Sequence, residues 1–328
     1  MTPFSAQYEI PDCGNSWTTA ESSNSTYGPL PQGAYTSFVQ AFRIPKWTEV
    51  PTGCATSIAA GDGTSPWIIG CPESSGQTDL GVYYWDPWSG SAGAWIHTNG
   101  SGVNIAAIAT SDGNIPMYVN SAGAIFLGQY VSDIEGSNGT TTVSWTQLFG
   151  CATSISGSGG YGYLVSPGYP TVYVTGCTPT EGGYVPYISA NGLGVTQPSD
   201  WSSLGEGGVR ISASTDGTDL WLVKSNHEID NYQSGSGWQK QGGEALDVSA
   251  GTSAGSVVQT DQQMYQLNAG AWIGRPPWIV GTNNVLYQWN GSGWTLQSGG
   301  PAKAQKVSIG QNGTVWVIDT DGNIWFYN

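Results

Sequence analysis

One short strand recurs along the chain, and this repetition limits the folds that are open to it. The strand is four residues long and rich in Trp, Tyr, Ile and Val. In five of its seven copies a second strand begins eight residues after the first. The seven first strands are Trp67–Gly70, Met117–Asn120, Val172–Thr175, Trp221–Lys224, Ser256–Gln259, Trp278–Gly281 and Trp316–Asp319. Runs of this composition at regular spacing predict a repeated β-hairpin.

Each hairpin is flanked by two further strands. An aliphatic strand precedes six of the copies, and Asp-Gly or Asn-Gly pairs beginning at Asp62, Asp112, Asp216 and Asn312 predict the turn into the hairpin. A lone Trp follows the hairpin, in most copies with a Gly four to six residues later; these are Trp95, Trp145, Trp201, Trp238, Trp272 and Trp294. A four-stranded meander of this length cannot bury both faces alone, so the copies must pack side by side in a ring. We therefore predict an all-β fold, a β-propeller of four-stranded antiparallel blades.

The two ends of the repeat predict how the ring closes. The last unit stops at Asn328 without a Trp strand, whereas Trp47 is a Trp strand with no unit before it. Residues 44–50 should therefore form the outer strand of the C-terminal blade. On this interpretation residues 47–328 are the propeller, and residues 1–46 are an N-terminal extension packed on the ring.

The number of blades depends on one irregular unit. Only Ile273 to Pro277 separate Trp272 from Trp278, which is too few residues for an inner strand. The ring then has either seven blades, one of them irregular, or six blades plus an extra hairpin. We favour seven.

Four of the five cysteines lie in two similar segments. Gly53-Cys54-Ala55-Thr56-Ser57-Ile58 recurs around Cys151, and each copy is followed by a second Gly-Cys, at Cys71 and at Cys177. The midpoint between Cys54 and Cys71 is the Asp62-Gly63 turn, which places these two residues across adjacent antiparallel strands. We predict the disulfides Cys54–Cys71 and Cys151–Cys177, with Cys13 left over. No Cys and His spacing predicts a metal site.

Charge and hydropathy exclude several classes of partner. The net charge of −15 repels phosphate backbones and anionic membranes, and the eight Lys and Arg residues form no basic run. No apolar run is long enough to span a membrane. Since disulfides persist in oxidising compartments, we expect a secreted or extracellular protein with no nucleic-acid partner and no membrane insertion.

Motifs of catalysis and cofactor binding are absent from the sequence. There is no Gly-x-Ser-x-Gly elbow, P-loop or HExxH, and we predict no catalytic residue and no cofactor. Sialidases use three Arg on a propeller, and three occur here: Arg43, Arg210 and Arg275. However, the segment Ser214–Trp221 only approaches their Asp-box. His97 and His227 are interpreted as surface imidazoles.

The repeat resembles the tectonin repeat. Its clearest copy combines Trp294 to Gly299, Val307-Ser308, Asn312-Gly313, Val315-Trp316-Val317-Ile318 and Gly322-Asn323-Ile324-Trp325. The resemblance covers roughly residues 47–328 and is strongest over 201–328. Tectonin-like proteins are propellers, commonly six-bladed, and several are lectins of innate defence or cell-surface recognition, so the resemblance implies glycans or glycoconjugates as partners.

The leading functional hypothesis is non-enzymatic carbohydrate binding by a multivalent propeller. Aromatic rings stack on the C–H faces of sugars, and the candidate ligand-binding residues are Trp88, Trp289 and Tyr84. Trp88 lies outside the positions that recur from one repeat unit to the next, and Gln288 and Asn290 flank Trp289. One alternative is an enzyme that acts on a small molecule or a polysaccharide at the channel mouth. A second alternative is a structural or protein-interaction propeller, because fold does not dictate function.

Overall fold

The structure, a computed structural model, describes residues 46–50, 53–89, 93–110, 113–129, 142–159, 170–251 and 276–327. Regular structure in these ranges is β-strand apart from a 3-10 turn at Pro198–Asp200. No helix in them is long and apolar enough to cross a bilayer. The N-terminal extension expected over residues 1–46 lies outside the described residues, except for Lys46.

The strands pair into six units of four, all antiparallel. Blade 1 is β2 (Ala55–Ala59), β3 (Trp67–Gly70), β4 (Leu80–Asp86) and β5 (Ala94–Gly102). Blade 2 is β6 (Asn104–Thr110), β7 (Gly113–Val119), β8 (Ile125–Gly128) and β9 (Trp145–Leu148). Blade 3 is β10 (Ala152–Ser158), β11 (Thr171–Thr180), β12 (Gly183–Ser189) and β13 (Trp201–Ser203).

The other three blades follow the same plan. Blade 4 is β14 (Arg210–Ala213), β15 (Leu220–Val223), β16 (Glu228–Gln233) and the first half of β17 (Gly237–Ser249). Blade 5 takes the second half of β17 with β18 (Trp278–Gly281), β19 (Leu286–Trp289) and β20 (Trp294–Leu296). Blade 6 is β21 (Ala304–Ile309), β22 (Val315–Asp319), β23 (Ile324–Tyr327) and β1 (Trp47–Val50).

The innermost strand of each blade bonds to the innermost strand of the next. In each case a side-chain oxygen accepts a hydrogen bond from a backbone N–H that would otherwise be an unpaired sheet edge. The acceptors and donors are Ser57 and Ile105 (3.3 Å), Asn104 and Ile155 (3.0 Å), Ser154 and Ile211 (3.4 Å), Ser212 and Ala250 (2.9 Å), Ser249 and Ile309 (2.9 Å), and Ser308 and Ala60 (2.8 Å). The last pair returns to blade 1, and the six inner strands line one central channel. The chain is a β-propeller.

The described strands complete the circuit with six blades, not with the seven that we favoured from the sequence. In the sequence the strand around Val248 directly precedes the predicted strand at Ser256–Gln259, but it pairs with β18 instead, with Ser249 opposite Trp278. A long connection between paired strands adds little to the entropic cost of closure, so the pairing can skip a segment. The predicted strand at Ser256–Gln259 and Trp272 lie outside the described residues.

The predicted closing strand is confirmed. β1 pairs with β23 in blade 6, with Trp47 opposite Tyr327 and Val50 opposite Ile324. The ring of Trp47 lies 5.0 Å from that of Tyr327 and 6.2 Å from that of Trp278 in blade 5. Both ends of the strand are therefore buried in the contact between blades.

The structure explains the recurring Trp and the Gly that follows it. The indole N–H of Trp201 donates to the carbonyl of Phe149 at 2.8 Å, and that of Trp294 to the carbonyl of Gly242 at 2.7 Å. Phe149 directly follows the outer strand of blade 2, and Gly242 lies in β17, which blades 4 and 5 share. A Cβ on Gly150 would come within 3.0 Å of the Trp201 indole nitrogen. The Trp of one blade therefore packs on the glycine-containing backbone of the blade before it.

Both predicted disulfides are present, and each joins the two inner strands of one blade. The Cα atoms are 5.4 Å apart in Cys54–Cys71 and 5.5 Å apart in Cys151–Cys177. The first bridge packs against the hairpin turn of blade 6 at Gly322, where φ is +86°, and the second against that of blade 2 at Gly123, where φ is +81°.

The equivalent turns of blades 4 and 5 carry residues with side chains. Gly322 accepts the N–H of Ala55, the residue after Cys54, and Gly123 accepts that of Ala152, the residue after Cys151. At the equivalent positions of the other two blades, the N–H of Ala245 donates to the carbonyl of His227 (φ 70°), and the N–H of Ala304 donates to the carbonyl of Asn284 (φ 63°). No cysteine precedes these two alanines. The turn is therefore glycine where the next blade carries a disulfide.

Candidate functional site

Six residues at equivalent positions surround one end of the channel, and we call them the channel ring. Each stands near the start of an inner strand, directly before its Ile or Val; they are Ser57, Asn104, Ser154, Arg210, Asp247 and Lys306. The register supports the equivalence, since Ser57, Asp247 and Lys306 oppose Ile69, Val280 and Ile318 at the same step of their hairpins. All six line a cavity of about 90 Å³.

Charge is confined to one half of the channel ring. Blades 1 to 3 contribute two hydroxyls and an amide, whereas blades 4 to 6 contribute Arg210, Asp247 and Lys306. Arg210 Nε and Lys306 Nζ each lie 3.7 Å from Asp247 Oδ1. The other oxygen of Asp247 accepts the N–H of Val307 at 3.0 Å, so the carboxylate also links blade 5 to blade 6. One positive charge remains uncompensated.

Arg210 is incompletely paired. Its Nη1 donates to the carbonyl of Val209 at 2.8 Å. Its Nε is buried and has no hydrogen-bond partner among the described residues, because Asp247 Oδ1 is too far away for one. A buried donor without an acceptor is costly, and an anion that entered the channel would remove that cost.

Lys306 is the more enclosed cation. Its side chain is 14% exposed, against 34% for Arg210. Burial lowers the pKa of its amine, the Asp247 carboxylate opposes that shift, and the Arg210 guanidinium adds to it. The amine therefore loses its proton at a lower pH than an exposed lysine does.

The structure does not bring the three predicted sugar contacts together. Trp88 lies in the turn between β4 and β5 and is 84% exposed, and its N–H donates to Asp86 Oδ1 at 2.9 Å. Tyr84 is only 5% exposed and its ring lies 5.2 Å from that of Trp67, so the sugar contact predicted for it does not fit its burial. Trp289, in blade 5, is half-buried with its ring 5.0 Å from that of Trp294.

Trp88 and Trp289 should therefore differ in their effect on stability. We expect Trp88→Ala to leave the free energy of unfolding within about 0.5 kcal/mol of wild type, as surface substitutions do. We expect Trp289→Ala to cost about 2–4 kcal/mol, because it removes a ring that packs between Trp221 and Trp294. Urea unfolding of both variants tests this pair, and an equal loss in the two would contradict it.

The other candidate groups have structural roles or lie outside the described residues. Lys224 Nζ is held by three carboxylates, Asp230 at 2.6 Å, Glu206 at 2.9 Å and Glu228 at 3.1 Å. Asp216 accepts from the hydroxyls of Ser214 and Thr218 within its own turn. Arg43, Arg275 and Cys13 are not described. Among the described residues no group of three His, Cys, Asp or Glu side chains comes together to hold a metal ion.

The sequence analysis missed the channel ring as a site, although a signal was present. Aligning the six inner strands on their Ile or Val places Arg210, Asp247 and Lys306 in one column with two serines and an asparagine. We had considered Arg210 only as one of three scattered arginines.

No protein-family model matches the sequence, and no curated protein does. Several solved structures are similar at low identity. "YCF48 bound to D1 peptide" has 13% identity and a TM-score of 0.46, over 87% of this chain and 97% of that one. "BBS1N in complex with ARL6DN" has 11% identity and a TM-score of 0.43, over 80% and 74%. The β-propeller domain of Myceliophteria thermophila Cps50 (Swd1) has 11% identity and a TM-score of 0.45, over 83% and 82%.

Proposed function

We propose that this protein is a non-enzymatic, protein-interaction propeller that binds an acidic segment of a polypeptide at the channel ring. The observation that carries the proposal is the uncompensated positive charge of Arg210 and Lys306 beside Asp247, with Arg210 Nε lacking an acceptor. In a chain of net charge −15 with eight Lys and Arg residues, two of the six that the structure describes line this channel. A carboxylate placed between them would gain charge-assisted hydrogen bonds in a partly desolvated site.

The neutral half of the channel ring favours a ligand that also carries amides. Ser57 and Ser154 already accept backbone N–H groups through their oxygens. A hydroxyl that accepts still has its own proton to donate. The amide of Asn104 lies between these two serines in the ring. These groups suit the main chain of a peptide whose acidic end reaches Arg210.

Binding of an acidic peptide tests the proposal. The probe is a fluorescein-labelled, Glu-rich ten-residue peptide, compared with its Gln-substituted counterpart in anisotropy titrations at 0.15 M salt, where long-range repulsion by the acidic surface is screened. We expect the acidic peptide to bind and its Gln-substituted counterpart not to bind. Arg210→Gln should weaken it about 10-fold or more, the loss of one charge-assisted hydrogen bond. Asp247→Asn should strengthen it, because a competing carboxylate is removed.

Lys303, which directly precedes β21, provides a matched control. It is exposed and lies three residues before Lys306, so Lys303→Gln changes the net charge equally without touching the channel. Because the pKa of Lys306 is lowered, peptide affinity should fall as pH rises, beginning below the value of about 10.4 at which an exposed lysine titrates. Equal effects of the Lys303 and Arg210 variants would overturn the proposal.

Glycan binding remains the second candidate, on the strength of the exposed Trp88 ring and the resemblance to the tectonin repeat. A glycan array followed by calorimetry distinguishes the two proposals. Glycan binding that is lost in Trp88→Ala and kept in Arg210→Gln would favour the lectin.

A further inference from the structure

We infer that Lys306 is a reactive amine that forms a reversible imine with a small 2-oxo acid, whose carboxylate Arg210 holds. This activity goes beyond the proposed function. It uses the same channel ring but does not depend on a polypeptide partner.

The geometry brings an anion-binding group and a nucleophile to one place. Arg210 Nε and Lys306 Nζ both lie 3.7 Å from the same oxygen of Asp247, so they are no farther apart than twice that distance. In a 2-oxo acid the carbonyl carbon is bonded directly to the carboxylate carbon. A carboxylate oxygen at the guanidinium can therefore bring the carbonyl carbon within reach of the lysine amine, in the cavity of about 90 Å³ that both side chains line.

The environment of Lys306 favours the nucleophilic form of the amine. Only a neutral amine has the lone pair that attacks a carbonyl carbon, and desolvation is the established way to activate a lysine for this purpose. The side chain is 14% exposed, and burial lowers its pKa. The adjacent Asp247 carboxylate can accept and return a proton at Nζ.

The step balances without an added reagent. The Nζ lone pair forms a bond to the carbonyl carbon, and the carbonyl electron pair moves to its oxygen, which takes up a proton. Nitrogen then releases a proton to Asp247, which returns it to the hydroxyl; the hydroxyl leaves as water and the nitrogen lone pair forms the carbon–nitrogen double bond of a protonated imine, the proton taken up first by the oxygen coming from solvent. Water reverses the reaction, and nothing is oxidised or reduced.

The other described lysines differ from Lys306 in these respects. Lys224 is held by three carboxylates, which raise its pKa and keep it protonated. Lys46, Lys240 and Lys303 are exposed on the surface. They serve as internal references in the same sample.

Reductive trapping tests the inference on the full chain. The protein is incubated at pH 7 with pyruvate and sodium cyanoborohydride, and the lysine that carries the reduced adduct is identified by peptide mass mapping. We expect Lys306 to be labelled faster than Lys303, because burial lowers the pKa of the Lys306 amine and so increases its neutral fraction. Lys306→Arg should remove the fast label and keep the slow surface labelling.

A neutral probe separates recognition from reactivity. Arg210→Gln should slow labelling of Lys306 by pyruvate while leaving its labelling by hydroxyacetone, an uncharged ketone, unchanged. The inference is overturned if Lys306 is labelled no faster than Lys303, or if the Arg210 variant slows both probes equally while remaining folded by circular dichroism. Neither outcome bears on peptide binding, which the anisotropy titrations measure separately.

Discussion

A chain that lacks residues 1–50 should lose at least about 4 kcal/mol of stability, because the deletion removes the strand that closes the ring. Trp47 is 9% exposed and Val50 is 5% exposed, and loss of a core Trp alone costs about 3–5 kcal/mol. The deletion also leaves one edge of β23 unpaired and open to association. Urea unfolding monitored by Trp fluorescence measures the effect.

A shorter deletion isolates the contribution of the strand. A chain that lacks residues 1–43 keeps Trp47–Val50 and should unfold with a midpoint well above that of the longer deletion. A synthetic peptide of residues 44–52 should partly restore the midpoint of the longer deletion when added in excess, because it binds only the folded state. If the two deletions unfold at the same urea concentration, β1 does not close the ring.

Gly322→Ala should be destabilising by about 2–5 kcal/mol, for two separable reasons. The residue has φ +86°, a left-handed conformation that costs an L-residue roughly 1–2 kcal/mol. Its new Cβ would also lie 2.6 Å from Cys54 Sγ, and overpacking of this kind typically costs about 1–3 kcal/mol. Chemical denaturation gives the total.

Gly235→Ala separates the two costs. Gly235 has nearly the same φ, +85°, and a Cβ there would meet nothing within 4 Å, so this variant carries the backbone cost alone. In a Cys54→Ala, Cys71→Ala background the steric part should disappear, and Gly322→Ala should then cost no more than Gly235→Ala. A penalty that persists without the disulfide would mean that the bridge is not what requires glycine at this turn.

Features that repeat along the chain could be predicted from the sequence. The hairpins, the Asp-Gly turns, the unmatched Trp47 and the paired Gly-Cys segments each recur or complete a pattern, and local propensity agrees with the fold in each. The requirement for glycine beside the disulfides was not predictable, because Gly322 and Cys54 meet only when the ring closes.

The irregular unit was assigned wrongly, and the channel ring was missed, for a related reason. The strand at Ala245–Ser249 pairs across residues 252–275, and local spacing assigned it to the nearest hairpin instead. Arg210, Asp247 and Lys306 are separated in sequence and share a location only because their blades are neighbours. Trp289 and Tyr84 were predicted as sugar contacts because they are aromatic, but both rings also pack against other aromatic rings of their own blades.

The hydrogen bonds that run from one inner strand to the next have a consequence for folding. In an open solenoid the terminal repeats fray first, because each has only one neighbour. Here Ser308 in the last blade bonds to Ala60 in the first, so no blade is terminal in that sense. Opening any one blade exposes unpaired N–H groups on its neighbours. We therefore expect the six blades to unfold as a single cooperative unit, with no partly unfolded state that retains some blades and loses others.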